Sequence, residues 1–66
     1  ANIVANAIMS LAPAVPGLMA DDAVFIASGI IDSRKDEVIA ALEAAGLAVL
    51  EMKEKRGWEC IVCKKA

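Results

Sequence analysis

Twenty residues pass before the first charged side chain, at Asp21. Within them Asn2 and Asn6 sit four apart in an otherwise apolar opening, ANIVANAIMS. Residues 1–5 read as the end of a buried strand. Asn6 then suits a helix cap, because its amide oxygen can accept from an unpaired first-turn N–H. Ile8, Leu11, Val15, Leu18 and Met19 follow at helical spacing. Pro13 and Pro16 remove ladder donors and clash with the preceding turn, which predicts a kink or break near residue 12. Asp21 and Asp22 make a turn. AVFIASGII, residues 23–31, is a continuous apolar run, as expected of a strand buried on both faces in the middle of a parallel sheet. Gly29 within it marks a close approach by another backbone or a ligand.

Ser33 opens the clearest helix. Ser33 and Asp36 approximate a capping box, and Asp36 and Glu37 suit the positive end of the helix dipole. Val38, Leu42 and Ala45 form one stripe, flanked by Ile39 and Ala41. Gly46 closes the helix in a left-handed conformation. Leu47 to Lys55 alternates, Arg56-Gly57 turns, and Trp58 to Lys64 returns as the second strand of an antiparallel hairpin. The order is therefore strand end, helix, strand, helix, hairpin. Such an order predicts an α/β fold whose strand–helix–strand units cross over right-handed. There is no internal repeat or low-complexity segment.

Composition sharpens this picture. Sixty-six residues form one small domain at most, yet 59% of them are apolar. A chain this short buries about 60% of its unfolded surface, so its fold is marginal alone. The richness in Ala, Val, Ile and Leu suits the inside of something larger. The net charge of −2, with both signs mixed, argues against a nucleic-acid partner. Lys53, Lys55, Arg56, Lys64 and Lys65 interleave with Glu51, Glu54 and Glu59, the pattern of a solvated strand face. The uncharged opening reaches bilayer length. Its asparagines, prolines and alanines, with no Lys or Arg ahead of it, argue against a membrane segment or a signal peptide.

Cys60 and Cys63 have the CxxC spacing of a zinc or redox pair. On a strand, however, positions three apart face opposite ways. There is no second pair and no histidine, so the two cysteines read as core or half-buried thiols. Trp58 reads as an apolar cover for the hairpin, with ligand stacking as the alternative. The asparagines carry the other candidate chemistry. Ligands of open α/β sheets bind beyond the carboxyl ends of strands. A strand ending at residues 1–4 would put Asn2 or Asn6 there. An amide with one acceptor and two donors could hold an amine substrate with its lone pair aimed at an electrophile. The alternative is that both amides satisfy only local backbone.

The segment ANIVANAIMSLAP resembles the region after the central cofactor site in the methyltransferases that modify a large-subunit ribosomal protein, the PrmA type. Their usual wording is close to ANI-(L/V)-A-N-P-L followed by LAP. The likeness continues through FIASGIIDSRKDEVIAALEAAGLAVLEMKEKRGWECIVCKK and covers essentially the whole chain. It implies the C-terminal part of a Rossmann-like methyltransferase sheet, residues 1–66 being one fragment of the catalytic domain. The fragment would hold the end of the fourth strand, the fifth, and the antiparallel sixth and seventh. It further implies S-adenosylmethionine as cofactor, a ribosomal protein as substrate and a cytoplasmic setting. Asn2 matches the asparagine at the cofactor and acceptor-amine site, and Ile3 and Val4 would line the same pocket. Ala7 stands where the family usually has proline, which puts a direct role for Asn6 in doubt. The family's glycine-rich loop and ribose-binding acid have no counterpart here. The expectation is therefore a piece cut from a larger enzyme and inactive in isolation. A reading from another class is a small non-enzymatic α/β module. On either reading an exposed sheet edge is expected to make a homo-oligomer.

Overall fold

The computed structural model describes residues 3–66, apart from the side chain of Ile3. The elements are helix α1 (Ile3–Leu11), a 3-10 turn (Ala12–Ala14), the single-turn helix α2 (Val15–Leu18) and strand β1 (Val24–Ile31). A second 3-10 turn (Asp32–Arg34), helix α3 (Lys35–Ala44) and strands β2 (Leu47–Lys55) and β3 (Trp58–Lys65) complete it. The α/β class is as expected. The strand end is not: Ile3, Val4 and Ala5 are helical, while Ala1 and Asn2 lie outside the described residues. A strand needs a neighbour to take up its backbone groups, whereas a helix satisfies its own. Asn6 accordingly lies inside α1 rather than capping it.

The inward stripe of the first helices is Ala5, Ile8, Ala12 and Val15, all buried. It differs from the expected stripe, since Leu11 is 60% and Leu18 85% exposed. Alanine at positions 5 and 12 lets the helix backbone approach its neighbours closely, which larger side chains would prevent. The break near residue 12 is present. Pro13 and Pro16 fall in the first turns of the 3-10 segment and of α2, where a missing N–H costs no ladder bond.

Strand β1 begins after the Asp21-Asp22 turn. The sheet order is β1-β3-β2, and both pairings are antiparallel. This corrects the expectation of a central parallel strand: among the described residues β1 is an edge, and only one of its faces is covered. Its apolar run is continuous because both faces carry Val, Ile or Phe, and Ala27 and Ile30 alone are buried in it. The register slips between Ala27 and Ile30, where Ser28 and Gly29 face the single residue Cys60. Gly29 has φ +78°, a value that L side chains resist, so glycine fits this bulge.

The capping box does not form. Asp32–Arg34 winds as a 3-10 turn, and α3 starts at Lys35 with no side-chain cap bond. Val38 and Leu42 are fully buried, as the stripe predicted, and Gly46 ends the helix at φ +93°. The hairpin turns on Arg56 and Gly57, both at positive φ, as a two-residue primed turn requires. Gly57 N–H also donates to Glu54 Oε2 at 2.9 Å. The core joins Ile8, Val15, Ile30, Val38, Leu42, Leu47 and Ile61 between the helices and one face of the sheet.

Candidate functional site

The chain enters α1 close to the carboxyl end of β1. The Val4 methyls stand 3.8 and 3.9 Å from where a Cβ on Gly29 would be. This is an ordinary packing contact with a side chain of the first helix, so the close backbone or ligand approach expected at Gly29 is not what the described residues show there; the glycine serves the bulge at positive φ. Of the predicted site residues, Val4 is helical and 41% exposed. Ile3 is helical, and Asn2 lies outside the described residues.

Asn6 finds a partner that sequence spacing did not suggest. Its Oδ1 accepts from Arg34 Nη2 at 2.9 Å, tying α1 to the start of α3. The same guanidinium donates to both carboxylate oxygens of Glu37, at 3.0 and 3.1 Å, in the forked geometry that arginine favours. One turn of chain therefore fixes the helix that carries Val4 and Asn6. Lys35 Nζ lies 3.7 Å from Asp32 Oδ1 in the same turn.

Beneath this turn lies Glu59, a buried carboxyl where the charge pattern predicts a solvated face. It is only 3% exposed, and its Oε2 has no partner within hydrogen-bond distance among the described residues. The side chain of Asp32, as hydrogen-bond partner of the protonated form, and then burial hold Glu59 above its usual range. The Lys35 charge opposes them, and the carboxylates of Asp32 and Glu54 add to the rise. The signal for this position was strand parity. Glu59 shares a face with Ile61 and Cys63, both fully buried. Parity also separates the cysteines. Cys63 faces the helices, where burial and then the Glu43 charge push its thiol up, while Cys60 points the other way and is half-buried. Trp58 is 52% exposed at the head of β3.

Among the described residues no cavity opens, and no group of acidic or thiol side chains converges as metal ligands. No helix among them is long and apolar enough to cross a membrane. A nucleoside-sized cofactor does not fit these residues alone.

Against known proteins, the family model described as ribosomal protein L11 methyltransferase (PrmA) matches residues 1–66. A ribosomal protein L11 methyltransferase of Heliobacterium modesticaldum is 41% identical over 66 residues, all of this chain and 21% of that protein. One from Agathobacter rectalis is 43% identical over 65 residues, 98% of this chain and 20% of its own length. One from Desulforamulus reducens is 48% identical over 63 residues, again 20% of its length. The chain thus spans about one fifth of the length of these relatives. With a match that runs from the first residue to the last, this chain belongs to the ribosomal protein L11 methyltransferase family and is a fragment of such a protein.

Proposed function

We propose that the chain is the C-terminal portion of an S-adenosylmethionine-dependent N-methyltransferase that modifies amino groups, lysine among them, of ribosomal protein L11 in the cytoplasm. One observation carries this: the family match covers every residue. The segment bearing the asparagine motif fits it, entering its helix at Val4 against Gly29, near the carboxyl end of β1. Open α/β sheets place their ligands at that end of the strands. S-adenosylmethionine supplies the methyl group in such reactions. This chain supplies Asn2, whose amide would orient the acceptor amine, with Ile3 and Val4 as wall. The amine has to be neutral to react, and an apolar wall that desolvates it lowers its pKa. The three described strands would be the far end of a Rossmann-like sheet that continues beyond β1.

Alone, the chain lacks the other walls of the site and is inactive. Calorimetric titration with S-adenosylmethionine should show no binding at micromolar concentrations, and micromolar affinity would refute this. The functional reading is tested in a chimera, with these residues spliced into the Heliobacterium protein in place of its matching segment. The chimera should methylate L11, and Asn2→Ala should lower kcat by about a hundredfold, the cost of a misplaced reactant. An unchanged kcat would remove Asn2 from the site. A second reading, self-association of the isolated chain, is favoured by the open edge of β1, whose unpaired backbone groups can template a second copy.

A further inference from the structure

Helix α1 is seated by apolar contacts and oriented by a polar one. Ala5, Ile8 and Ala12 are buried in the core. Such burial is non-directional, so it resists separation of the helix better than it resists a slide or a turn. The directional tie comes from Arg34, 28 residues on from Asn6, whose Nη2 donates to Asn6 Oδ1 at 2.9 Å. Arginine carries no acceptor, so the amide oxygen of Asn6 must be the atom that meets it, and the amide lies one way round. Asn6 stands in the first turn of α1 with Val4, at the end of the helix nearest the start of the asparagine motif.

The guanidinium is itself held in place. Its Nε–H and one Nη2 hydrogen fork onto the Glu37 carboxylate at 3.0 and 3.1 Å, which leaves the second Nη2 hydrogen for Asn6. The Arg34 side chain is 25% exposed, so the fork is partly sheltered from water. The turn that bears Arg34 is anchored as well, since Asp32 N–H donates to the Gly57 carbonyl oxygen at 2.9 Å. A run of directional contacts thus leads from the hairpin turn through Asp32 and Arg34 to the start of α1. We propose that Arg34 is a positioning residue for methyl transfer: acting through Asn6, and held by Glu37, it sets where α1 begins and with it the asparagine motif at its head. The inference rests on the functional reading above, in which Asn2 orients the acceptor amine. Lysine does not substitute for it, because a point charge cannot fork onto Glu37 and hold Asn6 in one fixed plane.

The test uses the Heliobacterium chimera, with kcat, KM and thermal midpoint read on each variant. Arg34→Lys keeps the charge and loses the fork. Asn6→Leu keeps the size and loses the acceptor. Each should lower kcat about tenfold, a smaller misplacement than loss of Asn2 itself, and leave KM for S-adenosylmethionine within about twofold. The double variant should be no worse than the poorer single one, because both remove the same contact. Asn6→Asp retains an acceptor oxygen and should recover kcat to within about twofold. Thermal midpoints should move by no more than about 2 °C, as for other surface substitutions. An unchanged kcat in Arg34→Lys or Asn6→Leu overturns the proposal. So do losses that multiply in the double variant, or a loss that Asn6→Asp does not recover, since Arg34 then does not act through that oxygen. A kcat loss that tracks a lowered midpoint also overturns it, because a purely structural tie would produce that result. Should Arg34→Lys fail to fold, Asn6→Leu and Asn6→Asp carry the test. Failure of this proposal and of the functional reading are distinct outcomes. If Asn2→Ala lowers kcat and Asn6→Leu does not, Arg34 alone is removed. If the unsubstituted chimera does not methylate L11, the functional reading goes, and any role for Arg34 in it goes too.

Discussion

The two faces of one three-stranded sheet differ in kind. On one, Ile30, Val38, Leu42, Leu47 and Ile61 meet with almost no exposure, and the helices close over them. On the other, Val24, Ile26 and Trp58 stand open although the chain has no shortage of apolar residues. Strand β1 is apolar on both faces, so its composition does not explain the difference. What differs is which residues of this chain are available as cover: α1 and α3 both pack on one side, and nothing among the described residues crosses to the other. The chain is self-sufficient for half a sandwich. That is a physical statement about a fragment, and it agrees with the one-fifth length relation to its relatives.

The largest break of this contrast comes from the closed face. Leu42→Ala deletes a fully buried side chain from the layer between α3 and the sheet. Such truncations cost about 2–5 kcal/mol. A single small core rarely supplies more than about 3–5 kcal/mol, so the variant should be mostly unfolded. Circular dichroism should show loss of the helical signal at room temperature. Retention of native signal with an unchanged midpoint would mean that the closed face is not what holds the chain together.

Much of this closed half was legible beforehand, because local rules govern it. The α3 stripe, the Gly46 stop and the Arg56-Gly57 hairpin each depend on residues near in sequence. The failures depend on distant partners. Residues 1–5 read as a strand end because apolar β-branched residues open the chain, whereas residues 3–5 are helical and satisfy their backbone groups locally. Asn6 looked like a cap, yet Arg34, 28 residues away, claims its oxygen. Glu59 reads as one of the solvated charges because it interleaves with the lysines and glutamates of the hairpin, although parity with Ile61 and Cys63 turns it inward. The candidate site rests on motif wording for Ile3 and Val4, and for Asn2 also on its place at the expected strand end.

Two substitutions probe where the faces join. Gly29→Ala forces a Cβ onto a residue at φ +78°, although the new atom would meet the Val4 methyls only at ordinary distance. The cost is therefore conformational, about 1–2 kcal/mol, and should lower the urea midpoint accordingly. A loss well below that would mean the bulge relaxes without glycine. A subtler effect is expected at Glu59. Its carboxyl holds a proton more tightly when folded than the usual value of 4.5. Its contribution to stability is then fully present below about that pH and is lost as pH rises through the raised value. Glu59→Gln keeps the shape and removes the titration. Its thermal midpoint should exceed that of the unchanged chain at neutral pH, and the gap should close in acid. A gap that instead widens in acid would reverse the sign of the argument.

The smallest effect belongs to the open face, and its smallness is the informative part. Ile26→Lys places a charge on a β1 residue that is already 58% exposed. Opposite it stands Val62, half-buried, with Lys64 one pair away and on the same face. Surface changes of this kind alter stability by no more than about 0.5 kcal/mol. The isolated chain should therefore unfold at an unchanged urea midpoint, unlike a chain whose second face is part of its own core. A loss above about 1 kcal/mol would require that Ile26 is covered. Repeating the measurement tenfold more dilute then identifies the cover. A loss that shrinks on dilution belongs to a second copy, and one that does not belongs to the chain itself.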